Sequence, residues 1–241
     1  MSENEPVDFD EFAEDYREIH TKNVQSLSGA DSDYFSEYKI VEVATLLENA
    51  RILDFGCGDG NSAFFIQKHI HSYEYSGIDV SEESVRKATE RNLRGCAFSH
   101  YDGRHIPFPD ETFDVVFAAC VFHHIDEADH IPMLNEIRRV LKTGGTVIVF
   151  EHNPLNPLTV KTVRDCPFDV GVKLIQGRVL KRRLARSGFD AKHIRIIYTI
   201  FMPRTGFFKR LLALEKYFRK IPLGGQYYCI ARKSKPTESE T

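Results

Sequence analysis

The sequence predicts an α/β fold: a doubly wound, seven-stranded, mostly parallel sheet with an N-terminal helical cap. Three observations carry that expectation. From Arg51 onward, short apolar runs alternate with amphipathic helical stretches, the pattern of a sheet covered on both faces. A glycine cluster, Gly56, Gly58 and Gly60, follows the first of those runs directly. Phe113–Ala119 is apolar almost throughout, as a strand buried on both sides should be.

In chain order, Asp10–His20 and Tyr34–Leu47 read as helices joined by the Ser/Gly/Asp-rich link Ser26–Asp33. In the second, Tyr38, Val41, Val43, Ala44 and Leu47 form an apolar stripe at helical spacing. Ile52–Phe55 is the first strand, Ser62–His69 a helix and Tyr73–Val80 the second strand. Ser81 then caps a helix running to about Asn92, with Glu82 and Glu83 in its first turn. Ala97–Tyr101 and Phe113–Ala119 are strands three and four. Asp126–Leu141 is an amphipathic helix stopped by Gly144-Gly145, and Thr146–Phe150 is the fifth strand. The prolines make Asn153–Pro157 a loop. A basic helix, Val179–Ser187, ends at Gly188 and leads to strand Ile194–Phe201. A second basic helix, Phe207–Lys220, precedes the last strand, Gln226–Ala231. The expected division of the single domain 1–241 is a cap over 1–49, a ligand-binding core over 50–152, an acceptor-side region over 153–233 and a flexible tail over 234–241.

Composition narrows the function classes. The longest apolar stretch, Val115–Phe122, is eight residues, against roughly 20 for a membrane-spanning helix. The first residues are acidic where a secretory signal would be basic and then apolar, so secretion is not expected. Five cysteines without a CxxC pair support neither disulfides nor a structural zinc site; no metal site is expected, and the expected compartment is the cytoplasm. The net charge of −3 hides an asymmetry. Residues 1–50 hold 13 acidic and 3 basic side chains, whereas residues 160–235 hold 4 acidic and 19 basic. Either the two segments neutralise each other or the basic one faces an anionic partner.

The glycine loop, Asp54-Phe55-Gly56-Cys57-Gly58-Asp59-Gly60, sits between strand and helix, where doubly wound sheets bind nucleotide-like ligands. Its third glycine comes two positions after the second, where the dinucleotide fingerprint needs three, and no GK[ST] ending makes it a phosphate loop. What it offers instead is carboxylates, Asp54 and Asp59, which suit a ligand carrying an ammonium and a sulfonium. Asp79 ends the second strand, placed to accept hydrogen bonds from both hydroxyls of a ribose. Asp102-Gly103 closes the third, placed for the amino group of a purine.

These residues, with Tyr101-Asp102 and the turn Leu141-Lys142-Thr143-Gly144-Gly145, resemble class I S-adenosylmethionine-dependent methyltransferases of the ubiquinone/menaquinone-biosynthesis type. The resemblance is close over about Ala50 to His152 and reaches the N-terminus through Phe9–Tyr16. It implies a Rossmann-like methyltransferase fold with an antiparallel seventh strand. It also implies S-adenosylmethionine as cofactor, with contacts from Asp54, Gly56, Gly58, Asp79 and Asp102, and Tyr16 near the methionine end. With their neighbours Cys57, Asp59, Gly60, Val80 and Gly103, and Cys120 after the fourth strand, these make the expected cofactor-binding set.

Methyl transfer is an in-line displacement that needs a base only when the nucleophile arrives protonated. His123 and His124 follow the fourth strand at the ligand-binding edge, and Glu151, His152 and Asn153 follow the fifth. His123, His124, Glu151 and His152 are the catalytic candidates, with one histidine of the first pair expected to point away from the acceptor. The alternative role for each is a local hydrogen bond in a loop or capped turn. His105 and His130 read as surface residues, and Cys166 as a packed small side chain. The run Pro154, Pro157, Cys166-Pro167-Phe168-Asp169 resembles a bacterial subgroup of these enzymes, with no acceptor attached to it.

The expected reaction is methylation of an oxygen, or second a nitrogen, of a small-molecule acceptor that is anionic or linked to a lipid or saccharide. The alternatives are an RNA or protein methyltransferase, a non-catalytic cofactor-binding module and, last, a nicotinamide-dependent oxidoreductase. The basic helix 207–220 reads as a lid over the pocket, or as a face for peripheral membrane contact. No RNA-binding module accompanies the charge, so nucleic acid is not favoured. The expected assembly is a monomer or homodimer.

Overall fold

A computed structural model describes residues 32–166, 169, 171–202 and 206–234. The predicted helix Asp10–His20 with Tyr16, most of the link that follows it and the tail beyond Ser234 lie outside the described residues.

The elements are α1 (Ser32–Leu47), β1 (Ala50–Phe55), α2 (Asn61–His69), β2 (Tyr73–Asp79), α3 (Glu82–Glu90), β3 (Cys96–His100) and β4 (Phe113–Ala119). There follow α4 (His130–Val140), β5 (Leu141–His152), α5 (Pro157–Arg164), α6 (Gly177–Arg186), β6 (Arg195–Thr199), α7 (Glu215–Phe218) and β7 (Gln226–Arg232). The seven strands form one sheet in the order β3-β2-β1-β4-β5-β7-β6. Strands β1 to β5 are parallel, while β7 runs antiparallel to both β5 and β6. Strand order reverses between β1 and β4, and a sheet of this kind opens its ligand crevice at that point.

The apolar runs bury on both faces as their composition requires. On one side Ile40, Val43 and Leu47 of α1 and Ile66 of α2 cover Ile52, Phe117 and Phe150. On the other, Leu134 and Ile137 of α4 and Leu180 and Leu184 of α6 cover Phe55, Val116 and Val149. Each such side chain contributes about 1.5–3 kcal/mol on full burial. Ser81 caps α3 by accepting from the Ser84 amide.

Four elements differ from the sequence reading. The fourth helix begins at His130 rather than Asp126, and the Gly144-Gly145 pair lies within a long β5 rather than ending a helix. The proline-rich loop gives way to a helix at Pro157, because proline suits the first helical position and the Asn156 side chain caps the Leu158 and Thr159 amides. The segment expected as one amphipathic helix, Phe207–Lys220, is a 3-10 stretch, Gly206–Leu214, followed by the single turn α7. Its end is tied down: Glu215 accepts from the Phe201 and Met202 amides, and the Arg219 carbonyl accepts from the Tyr198 amide. Those ties fix where the α turn sits, and the preceding residues wind more tightly. His130, expected on the surface, is buried; its ring lies 2.9 Å from the Ile125 carbonyl and 2.5 Å from the Arg183 guanidinium. The charge asymmetry is resolved in part within the chain, since Arg219 pairs with Glu42 of α1 at 2.7 Å.

Gly56 joins the glycine loop to the turn after β4. Its φ is +75°, and a Cβ there would stand 2.5 Å from Val121 Cγ2. Gly56→Ala should therefore destabilise by about 1–2 kcal/mol through its backbone and about 1–3 kcal/mol through overpacking. Val121→Ala on that background should restore only the second part. Denaturant unfolding checks this, and a single alanine variant as stable as wild type would show that loop and turn do not meet.

Candidate functional site

Two groups of polar side chains stand at the carboxyl edge of the parallel strands. The first is built by β1, the glycine loop and β2. Asp79 accepts from the Gly58 amide at 2.8 Å with one oxygen and from the Ser81 amide at 3.0 Å with the other, so it shapes the loop. A carboxylate oxygen accepts more than one hydrogen bond, so shaping the loop is compatible with receiving a ligand hydroxyl. Gly58 has a φ of +52°, and a Cβ built there meets nothing within 4 Å, so the backbone is bare on that side. Asp54 is buried at the end of β1. Its Oδ2 receives the Tyr75 hydroxyl at 2.5 Å, while Oδ1 is buried with no hydrogen-bond partner. Burial, with the Asp79 charge nearby, pushes its carboxyl up to about 7. An orphaned carboxylate oxygen beside a bare glycine backbone fits a ligand that brings its own cationic donor.

The remaining members of the expected cofactor set differ in situation. Asp59 is held by Arg91 at 2.6 Å, so its charge is already matched. Asp102 turns back to accept from the Arg104 and His105 amides at 2.8 and 2.9 Å, just before Gly103. Cys57 is buried and its thiol pushed up by that burial; Val80 is exposed. Cys120 sits at positive φ (+62°), its amide donating to Phe150. Lys39 of α1 acts electrostatically on both Asp54 and Cys120. Neither Lys39 nor Tyr75 stood out in the sequence, because each falls within an ordinary helix or strand pattern.

The second group joins the ends of β4 and β5. Residues Phe122–His124 form a 3-10 turn rather than a continuing strand, so His123 and His124 do not point to opposite faces; their ring centroids are 4.1 Å apart. Glu151 is fully buried, accepting from the Phe122 amide at 2.8 Å and meeting His123 Nδ1 at 2.6 Å. The His152 ring lies 5.3 Å from that of His123. Asp169 arrives from the loop after α5, with Oδ1 3.7 Å from His123 Nε2 and 3.5 Å from His124 Nε2. Only the sequence proximity of Cys166 and Pro167 drew attention to Asp169, and no chemistry was attached to it. Asn153 is structural: buried, its amide donates to the Pro222 and Gly224 carbonyls at 3.2 and 2.7 Å.

Electrostatics divides the histidines. Burial opposes a charged His123, but Glu151 and Asp169 outweigh it and raise the imidazole to about 10. Burial and the charge on His123 lower both His124 and His152 to about 4. Burial likewise opposes ionised Glu151 and Asp169; the histidines hold Glu151 low and Asp169 at about 2. Near neutral pH the group is thus one imidazolium between two carboxylates, Glu151 and Asp169, flanked by two neutral rings.

Comparison with known proteins places this geometry. The methyltransferase-domain family profile matches residues 52–145. Phthiotriol/phenolphthiotriol dimycocerosates methyltransferase 1 of Mycobacterium ulcerans is 29% identical over 127 residues, covering 52% of this chain and 46% of its own. The fatty-acid O-methyltransferase of Mycolicibacterium smegmatis is 28% identical over 131 residues, covering 52% and 47%. The chain spans about half the length of these curated relatives. A crystal structure from Thermotoga maritima, described as an S-adenosylmethionine-dependent methyltransferase and possible histamine N-methyltransferase, superposes with a TM-score of 0.66 at 21% identity, covering 94% of this chain and 98% of that one. At that identity the likeness is one of fold.

The ion pair gives the fold a pH dependence. With the folded His123 raised from 6.5 to about 10, its stabilisation is complete below pH 6.5 and is lost as pH rises toward 10. The melting temperature should fall over that window. A His123→Gln/Glu151→Gln double variant should fall less, and parallel profiles for the two proteins would refute the pairing.

Proposed function

Since the chain carries a class I S-adenosylmethionine-dependent methyltransferase domain, we propose that it moves a methyl group from S-adenosylmethionine to an oxygen of a small-molecule acceptor. The observation that carries the acceptor half of this reading is the buried His123–Glu151 pair flanked by the neutral rings of His124 and His152. Oxygen is favoured over nitrogen by the similarity to a fatty-acid O-methyltransferase and a 27-O-demethylrifamycin SV methyltransferase.

Asp54, Gly56, Gly58 and Asp79 would hold the cofactor, with Asp102 beside them. The cofactor supplies a methyl carbon made electrophilic by a positive sulfonium. Asp79 takes ribose hydroxyls while keeping the loop in place. Asp54, whose Oδ1 is otherwise unmatched, takes the ammonium. An acceptor hydroxyl that takes the methyl group must give up its proton, and a neutral imidazole beside it would receive that proton. His123 is already protonated and cannot receive it, so it and Glu151 act as positioning residues, while His124 and His152 remain as acceptors of the proton. Burial of the site keeps water from competing for the methyl group.

Two experiments test this reading. Asp79→Ala should weaken S-adenosylmethionine binding by at least ~1–3 kcal/mol, the usual cost of unmade charged hydrogen bonds. Because free Asp54 is neutral below about pH 7 and the ammonium favours its carboxylate, affinity should rise as pH climbs through 7, with a proton released; Asp54→Asn should flatten that rise. Calorimetry in two buffers of different ionisation heat checks both, and unchanged affinity in Asp79→Ala would remove the site assignment. For the acceptor half, transfer of a labelled methyl group to a panel of hydroxylated lipids and fatty acids should fall by roughly 10²–10⁴ in His124→Ala or His152→Ala while cofactor affinity holds. Stronger thermal stabilisation by a nicotinamide dinucleotide than by S-adenosylmethionine would overturn the whole reading.

A further inference from the structure

His123, His124 and Asp169 present three donor atoms that all lie within 4.8 Å of one another. Asp169 Oδ1 stands 3.5 Å from one imidazole Nε2 and 3.7 Å from the other, beyond the roughly 2.7–3.2 Å of an ordinary N–H···O bond. Two ligands on one tetrahedral zinc, at about 2.0–2.1 Å each, are themselves about 3.3 Å apart. The two carboxylate–imidazole spacings are therefore within a few tenths of an ångström of groups meeting at a common centre, and the third donor pair lies within 4.8 Å.

A second, independent feature lies behind the first ring. Glu151 is fully buried, and one of its oxygens is fixed by the Phe122 amide while the other faces His123 Nδ1 at 2.6 Å. A carboxylate on the far nitrogen of a histidine fixes the ring and its tautomer and turns Nε2 outward, the arrangement found behind metal-bound imidazoles. No acceptor has to reach Glu151 for it to have that role. The 3-10 turn makes the set possible by bringing consecutive histidines to one side, where a strand would separate them.

We infer that His123 Nε2, His124 Nε2 and Asp169 form a binding site for a divalent first-row transition metal of the zinc type. Two imidazoles and one carboxylate suit zinc, cobalt or iron(II), whereas magnesium and calcium call for oxygen ligands throughout. Three protein ligands leave a coordination position open, as in catalytic rather than structural sites. Metal binding would displace the Nε2 proton of His123 and occupy His124 Nε2. Resting on the methyl-transfer reading, the open position would take the acceptor oxygen, leaving His152 alone of the two neutral rings to receive its proton. The sequence expectation of no metal site arose because the three ligands are divided between the turn after β4 and the loop after α5, with no recognisable spacing.

Chelator-treated full-length chain should be titrated with Co²⁺, followed by visible absorption, and with Zn²⁺, followed by calorimetry. The expected result is one saturable site per chain, indifferent to excess Mg²⁺. Asp169→Asn, a substitution at a loop position, should lower affinity on the order of 100-fold, and His124→Ala should do the same. Glu151→Gln should lower it by about 10–100-fold, the usual effect of losing the carboxylate behind a ligating histidine. Circular dichroism of each variant controls for folding, with Asp169→Asn deciding if a core variant fails. Absence of saturable binding in the wild type, or equal affinity in Asp169→Asn, would overturn the inference. S-adenosylmethionine affinity measured on the same samples separates the two readings: if metal binds and the cofactor does not, methyl transfer is lost and the metal site stands; the reverse removes only the metal.

Discussion

The contact between His123 and Glu151 is the constraint around which the carboxyl ends of β4 and β5 are organised. Taking an imidazolium and a carboxylate out of water costs several kcal/mol per ion before their attraction is counted. The 2.6 Å contact and the Phe122 amide on the other carboxylate oxygen offset that cost. The pair also has a mechanical effect. Glu151 closes β5 and His123 follows β4, so one ion pair locks the ends of neighbouring parallel strands and sets the turn that presents His124. Remove Glu151 and His123 keeps only the more distant Asp169; remove His123 and the buried Glu151 carboxylate loses its cation, which is more damaging than removing both.

Asp54 and Glu151 make the controlling variable visible. Both carboxyls are buried at the ends of strands of one sheet, β1 and β5 with β4 between them, yet their ionisation is shifted in opposite directions. Glu151 has a cation and a backbone amide. Asp54 has the neutral Tyr75 hydroxyl and a like charge on Asp79, so burial dominates and its carboxyl rises to about 7. Depth alone does not decide ionisation; the partner does. The same comparison explains why one carboxyl is finished as a structural element while the other has capacity left for a cationic ligand.

Legibility in the sequence followed the range of the interactions. The Asp54–Gly60 loop, Asp79 and the alternation of strands with helices are local or periodic features, and all seven strands were recognisable from apolar runs and their spacing. Ser81 was legible as a cap because capping acts over three residues. What escaped was set by distant partners. His130 looked like a surface residue until Arg183 and Ile125 closed over it. The stripe of Phe207–Lys220 suggested a continuous helix, but Glu215 is committed to the amides of residues 201 and 202, an obligation that helical periodicity does not encode. Proline at 157 was read as a breaker, although at the first helical position it is a starter.

The division between shared and particular chemistry follows the same line. The matched stretch, 52–145, contains the glycine loop, Asp79, Asp102 and both histidines of the turn. It ends before Glu151, His152 and Asp169, the groups that decide which of those histidines is charged and which is neutral. A histidine pair following β4 is by itself chemically undecided, since an unperturbed imidazole titrates close to neutral pH. Its behaviour is imposed from β5 and from the loop after α5. The same histidine pair would therefore behave differently with other groups on β5 and in the loop after α5, so what the turn does chemically is set by the residues that surround it as much as by the turn itself.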